Sequence, residues 1–266
     1  MTRVELIAEV ASNHGGDLSL AKEFIWRCAE AGADWVKFQT TRVRHLRPDD
    51  PQFAWFQRAE LSDEAHLELK AECESAGVRF LTTVYHPADV PFVASLGLDA
   101  IKIGSGEAME VALAEAVMVP NRQASRVLVS LGLCRNNPWE SAFIRDRWSL
   151  VEFLGTVTRY PAPQGVAVQV LSAWRLAGVT TSGPRYSITG WSDHANGLSE
   201  CQVAICAGAT IIEKHVQLPN QARPWQPWEA TMAELKALRA FADESPEAKY
   251  LGRWQYAKHA KSAEVA

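Results

Sequence analysis

The sequence predicts an α/β protein built as a single (β/α)8 barrel, and two observations support this fold. Eight short runs rich in Val, Ile, Leu and Phe recur along the chain, as is typical of parallel strands that are buried on both faces. Amphipathic segments with helical spacing separate these runs. Eight strand–helix units in 266 residues are the content that such a barrel needs.

The predicted elements alternate from one end of the chain to the other. The strands are expected at 4–10, 33–39, 78–84, 98–104, 126–132, 149–157, 185–191 and 209–216. The first two helices, 18–32 and 61–77, begin after a capping residue (Asp17, then Ser62 or Asp63) and end at a glycine. Further helices are expected at 89–97, 110–118, 138–148, 165–178, 196–208 and 231–243.

The chain shows no linker or change of composition that would divide it. We therefore expect one barrel domain over residues 1–244, followed by a polar, lysine-containing tail at 245–266 that is helical or partly disordered. An open doubly wound sheet is the alternative fold. It is less favoured because no G-x-G-x-x-G pattern follows the first strand.

Composition excludes several classes of function. A net charge of −4 and a pI near 6.0 give no sign of nucleic-acid or anionic-membrane binding. No apolar stretch approaches the roughly 18–20 residues of a membrane span, and the first residues do not resemble a signal peptide. Because the cysteines are scattered and lack CxxC spacing, we expect reduced thiols in a cytoplasmic protein rather than disulfides or a thiolate zinc site. They are Cys28, Cys73, Cys134, Cys201 and Cys206.

Two lysines interrupt apolar strands. Lys37 lies within WVKF and Lys102 within IKIG, on the second and fourth predicted strands. Each ammonium needs a compensating partner if it is buried, and a buried carboxylate is one interpretation. Because alternate strands of a barrel fill the same layer, the two amines are also expected to converge. They would then repel each other unless an anion lies between them, and a phosphorylated, carboxylated small molecule would suit.

Small hydroxyl residues at strand ends are candidate phosphate ligands, although each alone is more often a turn residue. They are Thr82, Thr83, Ser105, Ser130, Thr156, Thr158 and Ser192.

Two histidines lie at the ends of the last two predicted strands, His194 in GWSDH and His215 in IIEKH. A single histidine there is usually structural, but neighbouring strand ends bring two imidazoles close enough to share a metal ion. Glu213 points to the same side of its strand as His215. Two nitrogens with oxygen ligands nearby favour an open Mn- or Mg-type site over closed tetrahedral zinc. Glu9 and Glu107 are further carboxylates at the expected barrel mouth.

The chain resembles the sialic acid synthase family, whose members condense phosphoenolpyruvate with sugars. The combination of KFQ, KIGSGE, SDH and EKH is specific, whereas each motif alone would be weak. The matching stretches occur in the family's order and are IAEVASNHGGDLSLAKEFI, AGADWVKFQT, ELSDEAHLELKAECESAGVRFLTT, LGLDAIKIGSGE, RYPAP, GWSDHANGL and AGATIIEKHVQL.

This resemblance implies a (β/α)8 barrel that condenses phosphoenolpyruvate with an aldehyde sugar, giving a 2-keto-3-deoxy acid and phosphate. It implies a divalent metal cofactor, usually Mn2+, with Mg2+ or Co2+ as alternatives, held by His194 and His215. The residues that match phosphoenolpyruvate-binding positions are Lys37, Thr83, Lys102, Ser105, Ser130 and Ser192. Other active-site positions are matched by Glu9, Gln39, Glu107 and Tyr160.

The residues that depart from the family pattern lie where the family is expected to bind its sugar substrate. Trp225 and Gln226 align with a family Asp and His, so we expect an aromatic wall in place of an acidic one, with Trp225 as a substrate-binding residue. Trp225 and Trp228 either stack on a ring or close the barrel mouth. Thr158 replaces a family Asn. The loop after KFQT carries His45 and three arginines, which either meet an anionic group of the substrate or lie in solvent. These arginines are Arg42, Arg44 and Arg47.

We therefore expect an aldehyde acceptor other than free N-acetylmannosamine. A non-catalytic barrel that binds a phosphorylated ligand, or another barrel enzyme acting on phosphosugars, remains an alternative because fold alone does not fix chemistry. We expect a homodimer and no nucleic-acid or membrane partner. We also expect the barrel to lack the C-terminal antifreeze-like domain that many family members carry.

Overall fold

Eight parallel strands close into a barrel in chain order, which confirms the predicted fold class. The computed structural model describes residues 3–118, 126–132, 151–171 except 168, and 188–244. The strands are β1 (Glu5–Ala11), β2 (Trp35–Thr40), β3 (Arg79–Val84), β4 (Ala100–Ile103), β5 (Arg126–Ser130), β6 (Val151–Gly155), β7 (Ile188–Asp193) and β8 (Ile211–His215). Each of them overlaps its predicted run.

Helices cover the outside of the barrel. Those with defined bounds are α1 (Leu18–Glu30), α2 (Phe53–Ala59), α3 (Asp63–Ser75), α4 (Val90–Ser95), α5 (Val111–Val117), α6 (Ser199–Cys206) and α7 (Met232–Asp243). Residues 166–171, except 168, are also helical. Asp17 caps α1 by accepting hydrogen bonds from the backbone N–H groups of Ser19 and Leu20, and Ser62 caps α3. Both caps were predicted.

The segment between β2 and α3 has more structure than predicted. It contains α2 and a 3-10 helix, Val43–His45, and a second 3-10 helix, Pro87–Asp89, precedes α4. Neither 3-10 helix is long enough to leave a periodic signal in the sequence. The predicted helix at 138–148, most of the one at 165–178 and the tail at 245–266 lie outside the described residues.

The barrel interior has an apolar layer at mid-height. Seven of the eight strands contribute to it: Ile7, Trp35, Leu81, Ala100, Leu128, Leu154 and Ile211. β7 places Gly190 there, where a Cβ atom would lie 2.6 Å from the carbonyl oxygen of Ile211. Because side chains alternate across a strand, the residues two positions further along also point inward. This periodicity determines which side chains lie above the apolar layer.

The amino-terminal end of the barrel is crossed by ion pairs. Glu5 lies 2.6 Å from Arg79 and 2.8 Å from Arg126, which also pairs with Glu152 at 2.5 Å. The Arg79 guanidinium carbon lies 3.8 Å from the centroid of the Trp35 ring. The charged groups at this end thus pair with one another. Polar groups available to bind a ligand are therefore expected at the other end of the barrel.

No helix in the part of the chain described here is long and apolar enough to cross a membrane. The cysteines within this part are buried and none of them is in a disulfide; they are Cys28, Cys73, Cys201 and Cys206. Cys134 lies outside the described residues.

Candidate functional site

A layer of polar side chains lies directly above the apolar layer, two residues further along seven of the eight strands. Lys37 follows Trp35 in this way, and Lys102 follows Ala100. We call this set the polar layer; its members are Glu9, Lys37, Thr83, Lys102, Ser130, Ser192 and Glu213. All of them are buried. Each was within reach of sequence analysis, because the period of two applies to every strand.

The polar layer forms the floor of a cavity of about 440 Å3 at the carboxyl ends of the strands. This is the end at which barrel enzymes place their active sites. Thirteen of the fourteen predicted site residues line it: Glu9, Lys37, Gln39, Thr83, Lys102, Ser105, Glu107, Ser130, Thr158, Tyr160, Ser192, His194 and His215. The exception is Trp225, whose side chain is 55% exposed.

A carboxylate of the protein itself lies between the two lysines. The Oε2 atom of Glu213 is 3.4 Å from Lys37 Nζ and 3.9 Å from Lys102 Nζ. Lys37 Nζ also lies 2.5 Å from Glu9 Oε2. The amines therefore converge as predicted, and the interpretation that buried carboxylates compensate them holds as well. Glu213, expected only as a neighbour of the metal, serves as their shared counter-ion.

Hydroxyl groups hold the two ammonium groups in place. Lys37 Nζ donates to Thr83 Oγ1 at 2.9 Å, and Lys102 Nζ donates to Ser130 Oγ at 2.7 Å. Ser192 Oγ donates to Glu213 Oε1 at 2.8 Å. These bonds orient the charged groups before any ligand arrives.

Burial and mutual charge shift the pKa values of these groups. Burial raises the pKa of Glu9 from 4.5 to about 7, against the opposing effect of Lys37. Burial lowers the pKa of Lys102 to about 8. For Glu213 burial is outweighed by Lys102 and Lys37, and its pKa falls to about 2. Near neutral pH, Glu213 is therefore ionised and Glu9 is close to its midpoint.

The two predicted metal-binding histidines lie side by side in the cavity, with ring centroids 5.3 Å apart. Burial lowers the pKa of His194 to about 4 and that of His215 well below 6.5, so both rings are neutral at pH 7. His194 Nδ1 donates to the Val157 carbonyl oxygen at 3.1 Å, which leaves the lone pair on Nε2. The Tyr160 hydroxyl lies 3.1 Å from that atom.

This donor set fits one divalent ion. Metal-binding imidazoles are neutral and commonly have their other nitrogen bound to a carbonyl, as in His194. In the part of the chain that the structure describes, no third His, Cys, Asp or Glu completes a three-residue cluster with this pair. An ion held here would take its remaining ligands from water or substrate, and so would retain the open positions that catalytic sites need.

The other charged residues of the SDH and EKH motifs have a structural role. Lys214 and Asp193 form a buried ion pair at 2.5 Å, and Lys214 also donates to the Ala195 carbonyl oxygen at 2.6 Å. Asp193 accepts a hydrogen bond from the Trp191 indole N–H. Because side chains alternate along a strand, Ser192, His194, Glu213 and His215 point into the barrel. The Lys214–Asp193 ion pair points outward from β7 and β8. That split explains why the motifs combine these residue types.

One side of the cavity is made by loops, and we call Asn13, Arg223, Trp228 and Glu229 the loop wall. Glu229 is buried and accepts hydrogen bonds from Asn13 Nδ2 at 3.0 Å, Gln221 Nε2 and the backbone N–H of Gln226. The wall therefore combines a buried carboxylate, Glu229, with an aromatic side chain, Trp228, where only an aromatic surface was expected. Trp228 and Glu229 line the cavity, whereas Trp225 and Gln226 do not.

The three arginines of the β2–α3 segment are each paired with a carboxylate: Arg42 with Asp63, Arg44 with Asp89 and Arg47 with Asp49. None of them lines the cavity described above. The hypothesis that they meet an anionic group of the acceptor is not supported.

Comparisons with known proteins agree with this geometry. A family model described as the NeuB family matches residues 24–250. The chain belongs to the NeuB family. It is 28% identical to an N,N'-diacetyllegionaminic acid synthase of Campylobacter jejuni, covering 90% of this chain and 75% of that protein. It is 30% identical to the protein of the same name in Legionella pneumophila, covering 79% of this chain and 63% of that protein.

Among solved structures, an N-acetylneuraminic acid synthetase of Leptospira borgpetersenii superposes with a TM-score of 0.78. The match covers 94% of this chain and 85% of that one at 24% identity, and it supports the fold.

Several residues lining the cavity of this NeuB-family chain were not predicted. Tyr85 lies two residues beyond Thr83, so the period of two would have found it. Gln52 and Phe56 belong to a segment whose helix was itself missed. The loop wall left no periodic signal, because loops do not impose a fixed direction on their side chains.

Proposed function

We propose that this chain is a synthase that condenses phosphoenolpyruvate with an aldehyde, forming a carbon–carbon bond and releasing inorganic phosphate. The observation that carries the proposal is the meeting of two ammonium groups, Lys37 and Lys102, and two neutral imidazoles, His194 and His215, in one cavity. The relatives from Campylobacter and Legionella are both named N,N'-diacetyllegionaminic acid synthase, which supports a synthase reaction.

The charge balance of the cavity favours a metal-dependent reaction. Lys37 and Lys102 are already compensated by Glu213 and Glu9. A phosphoenolpyruvate anion that enters this layer therefore needs additional positive charge nearby. A divalent ion bound by His194 and His215 would supply it and would polarise the aldehyde oxygen. We propose Mn2+, with Mg2+ and Co2+ as alternatives.

The residues of the chain account for the remaining steps. The lysines and neighbouring hydroxyls hold the phosphate and carboxylate of phosphoenolpyruvate, so that its C3 faces the aldehyde carbon. The electron pair of the C2–C3 double bond forms the new bond from C3 to that carbon, C2 becomes electron-poor, and the aldehyde oxygen takes up a proton from solvent. Water then adds at C2 with Glu9, whose pKa of about 7 suits a general base, accepting one of its protons. The bond from C2 to the phosphate oxygen then breaks, the proton of the new C2 hydroxyl leaves with the phosphate, and a 2-keto-3-deoxy acid remains.

The loop wall is proposed to bind the acceptor. Glu229 offers a buried carboxylate to sugar hydroxyls, and Trp228 offers an aromatic face. Since this wall combines Trp228, Glu229 and Arg223, we propose an acceptor other than free N-acetylmannosamine. We also propose a cytoplasmic homodimer, which light scattering would detect as about twice the 29.4 kDa chain mass.

The test is phosphate release from phosphoenolpyruvate, measured with Mn2+ and a panel of aldehyde sugars that includes N-acetylmannosamine. We expect turnover with at least one aldehyde, and its loss when EDTA is added. His215→Ala is expected to abolish turnover, whereas the matched surface variant Arg47→Ala retains it.

Other outcomes of the same assay separate the alternatives. Saturable phosphoenolpyruvate binding without phosphate release from any aldehyde would favour a binding protein. Rearrangement of a phosphosugar without consumption of phosphoenolpyruvate would favour another class of barrel enzyme.

A further inference from the structure

A second group of potential metal ligands lies outside the polar layer, in the loops that follow β2 and β3. His45 ends the 3-10 helix after β2, while His86 is the N-cap and Asp89 the last residue of the one after β3. Their ligand atoms all lie within 4.8 Å of one another. Among the described residues, no other group of three or more His, Cys, Asp or Glu side chains lies this close together. We call it the His–His–Asp cluster.

The cluster contains a buried carboxylate oxygen without a donor. The Asp89 side chain is 2% exposed, and its Oδ2 accepts no hydrogen bond. That atom lies 3.3 Å from His45 Nε2, which accepts a hydrogen bond from Arg44 Nε at 3.1 Å. The lone pair of His45 is therefore on Nε2, and no proton lies between it and Asp89 Oδ2. Two electron-rich atoms in this arrangement call for a cation.

The two imidazoles of the cluster are stacked, with ring centroids 3.7 Å apart and planes 6° from parallel. Two charged rings at this distance would repel each other strongly, so the stack is compatible with neutral rings. His86 Nδ1 accepts a hydrogen bond from the Ala88 backbone N–H at 3.1 Å, so an ion that binds this nitrogen has to displace that donor. Neutral imidazoles are ligands for zinc, cobalt and nickel ions.

We propose that His45, His86 and Asp89 form a second metal site, distinct from the His194–His215 pair and selective for borderline ions such as Zn2+, Co2+ or Ni2+. Two nitrogens and one carboxylate oxygen suit these ions better than Mg2+ or Ca2+, which prefer oxygen. In the metal-free protein Arg44 supplies the positive charge by pairing with Asp89.

Arg44 is placed to act as a displaceable competitor for the metal. Its side chain is 62% exposed, so it can move into solvent at little cost when an ion binds Asp89. The cluster also lines a cavity of about 360 Å3 that shares Gln39, Phe56, Tyr85 and Glu107 with the cavity above the polar layer. An ion there would be a neighbour of the proposed substrate site.

The test is a titration with Zn2+ by calorimetry and with Co2+ by visible absorption. In the wild-type chain we expect two equivalents, and in the His194→Ala/His215→Ala double variant one. In that background, His86→Gln is expected to weaken the remaining site at least about tenfold, as loss of a ligand does. Arg44→Met is expected to tighten it several-fold, because the competing guanidinium is gone. His66→Gln, which alters a buried histidine outside both sites, is the matched control.

Two results would overturn the proposal. One is the absence of Zn2+ binding tighter than about 1 mM in the double variant. The other is binding that is unchanged by His45→Gln and His86→Gln. If the double variant does not fold by circular dichroism, the loss of one equivalent from wild type in His86→Gln decides the question. Because only metal binding is measured, the outcome is independent of whether the chain catalyses the proposed condensation.

Discussion

The polar layer and the loop wall line the same cavity, but they hold their charges in different ways. In the polar layer, buried ammonium and carboxylate groups compensate one another, with Glu213 between Lys37 and Lys102. In the loop wall, Glu229 is held by neutral amide and backbone donors. The first arrangement is fixed by strand geometry, because each of its side chains is directed inward by the period of two. The second depends on loops, which impose no fixed direction on their side chains.

The largest expected difference between the two regions is in stability. Glu213→Gln leaves two buried ammonium groups without their shared counter-ion, and breaking such a network typically costs about 3–5 kcal/mol. Glu229→Gln removes a carboxylate that has only neutral donors, and about 1–2 kcal/mol is expected. Urea unfolding of both variants measures the difference. Equal losses would mean that the polar layer is not held together by charge.

Substitutions in the two regions should also change the kinetic parameters of different substrates. Lys102→Met removes an ammonium that we assign to phosphoenolpyruvate, and kcat/KM for this substrate is expected to fall at least about 100-fold. Arg223→Met, in the loop wall, is expected to change the KM of the aldehyde and leave that of phosphoenolpyruvate within about twofold. The reverse pattern in steady-state assays would exchange the two assignments.

A buried histidine, His66, is expected to make the free energy of unfolding depend on pH. Burial lowers the pKa of His66 in α3 from 6.5 to about 4 in the folded chain. The unfolded chain therefore binds more protons between pH 6.5 and 4, and the contribution of His66 to stability is lost as pH falls through this window. We expect about 2 kcal/mol lower stability at pH 5 than at pH 7 from this group. Urea unfolding of His66→Gln should show a smaller pH dependence; an unchanged one would contradict the assignment.

The smallest expected effect lies within the loop wall. Trp228 lines the cavity whereas Trp225 is 55% exposed, so only the first is expected to touch the acceptor. Trp228→Ala should raise the aldehyde KM about tenfold, and Trp225→Ala less than about twofold. Similar effects from both substitutions would restore the original prediction that Trp225 binds substrate.

The residues of the polar layer could be predicted from the sequence better than those of the loop wall. The strands, and the inward direction of Lys37, Lys102, His194 and His215, follow from a period of two that sequence shows directly. Trp225 does not line the cavity, and its direction could not be predicted because a loop residue has no such period. The shared role of Glu213 was missed because sequence does not show which carboxylate lies between two amines.

Phosphoenolpyruvate is proposed to contact both Lys37 and Lys102 from the cavity above the polar layer, beside an ion proposed at His194 and His215. A crystal structure with Mn2+ and phosphoenolpyruvate, using anomalous scattering to locate the metal, tests it most directly. We predict manganese on the two imidazoles and phosphate or carboxylate oxygens within hydrogen-bond distance of both Nζ atoms. Phosphoenolpyruvate in contact with neither lysine, or manganese absent from the two histidines, would contradict the account.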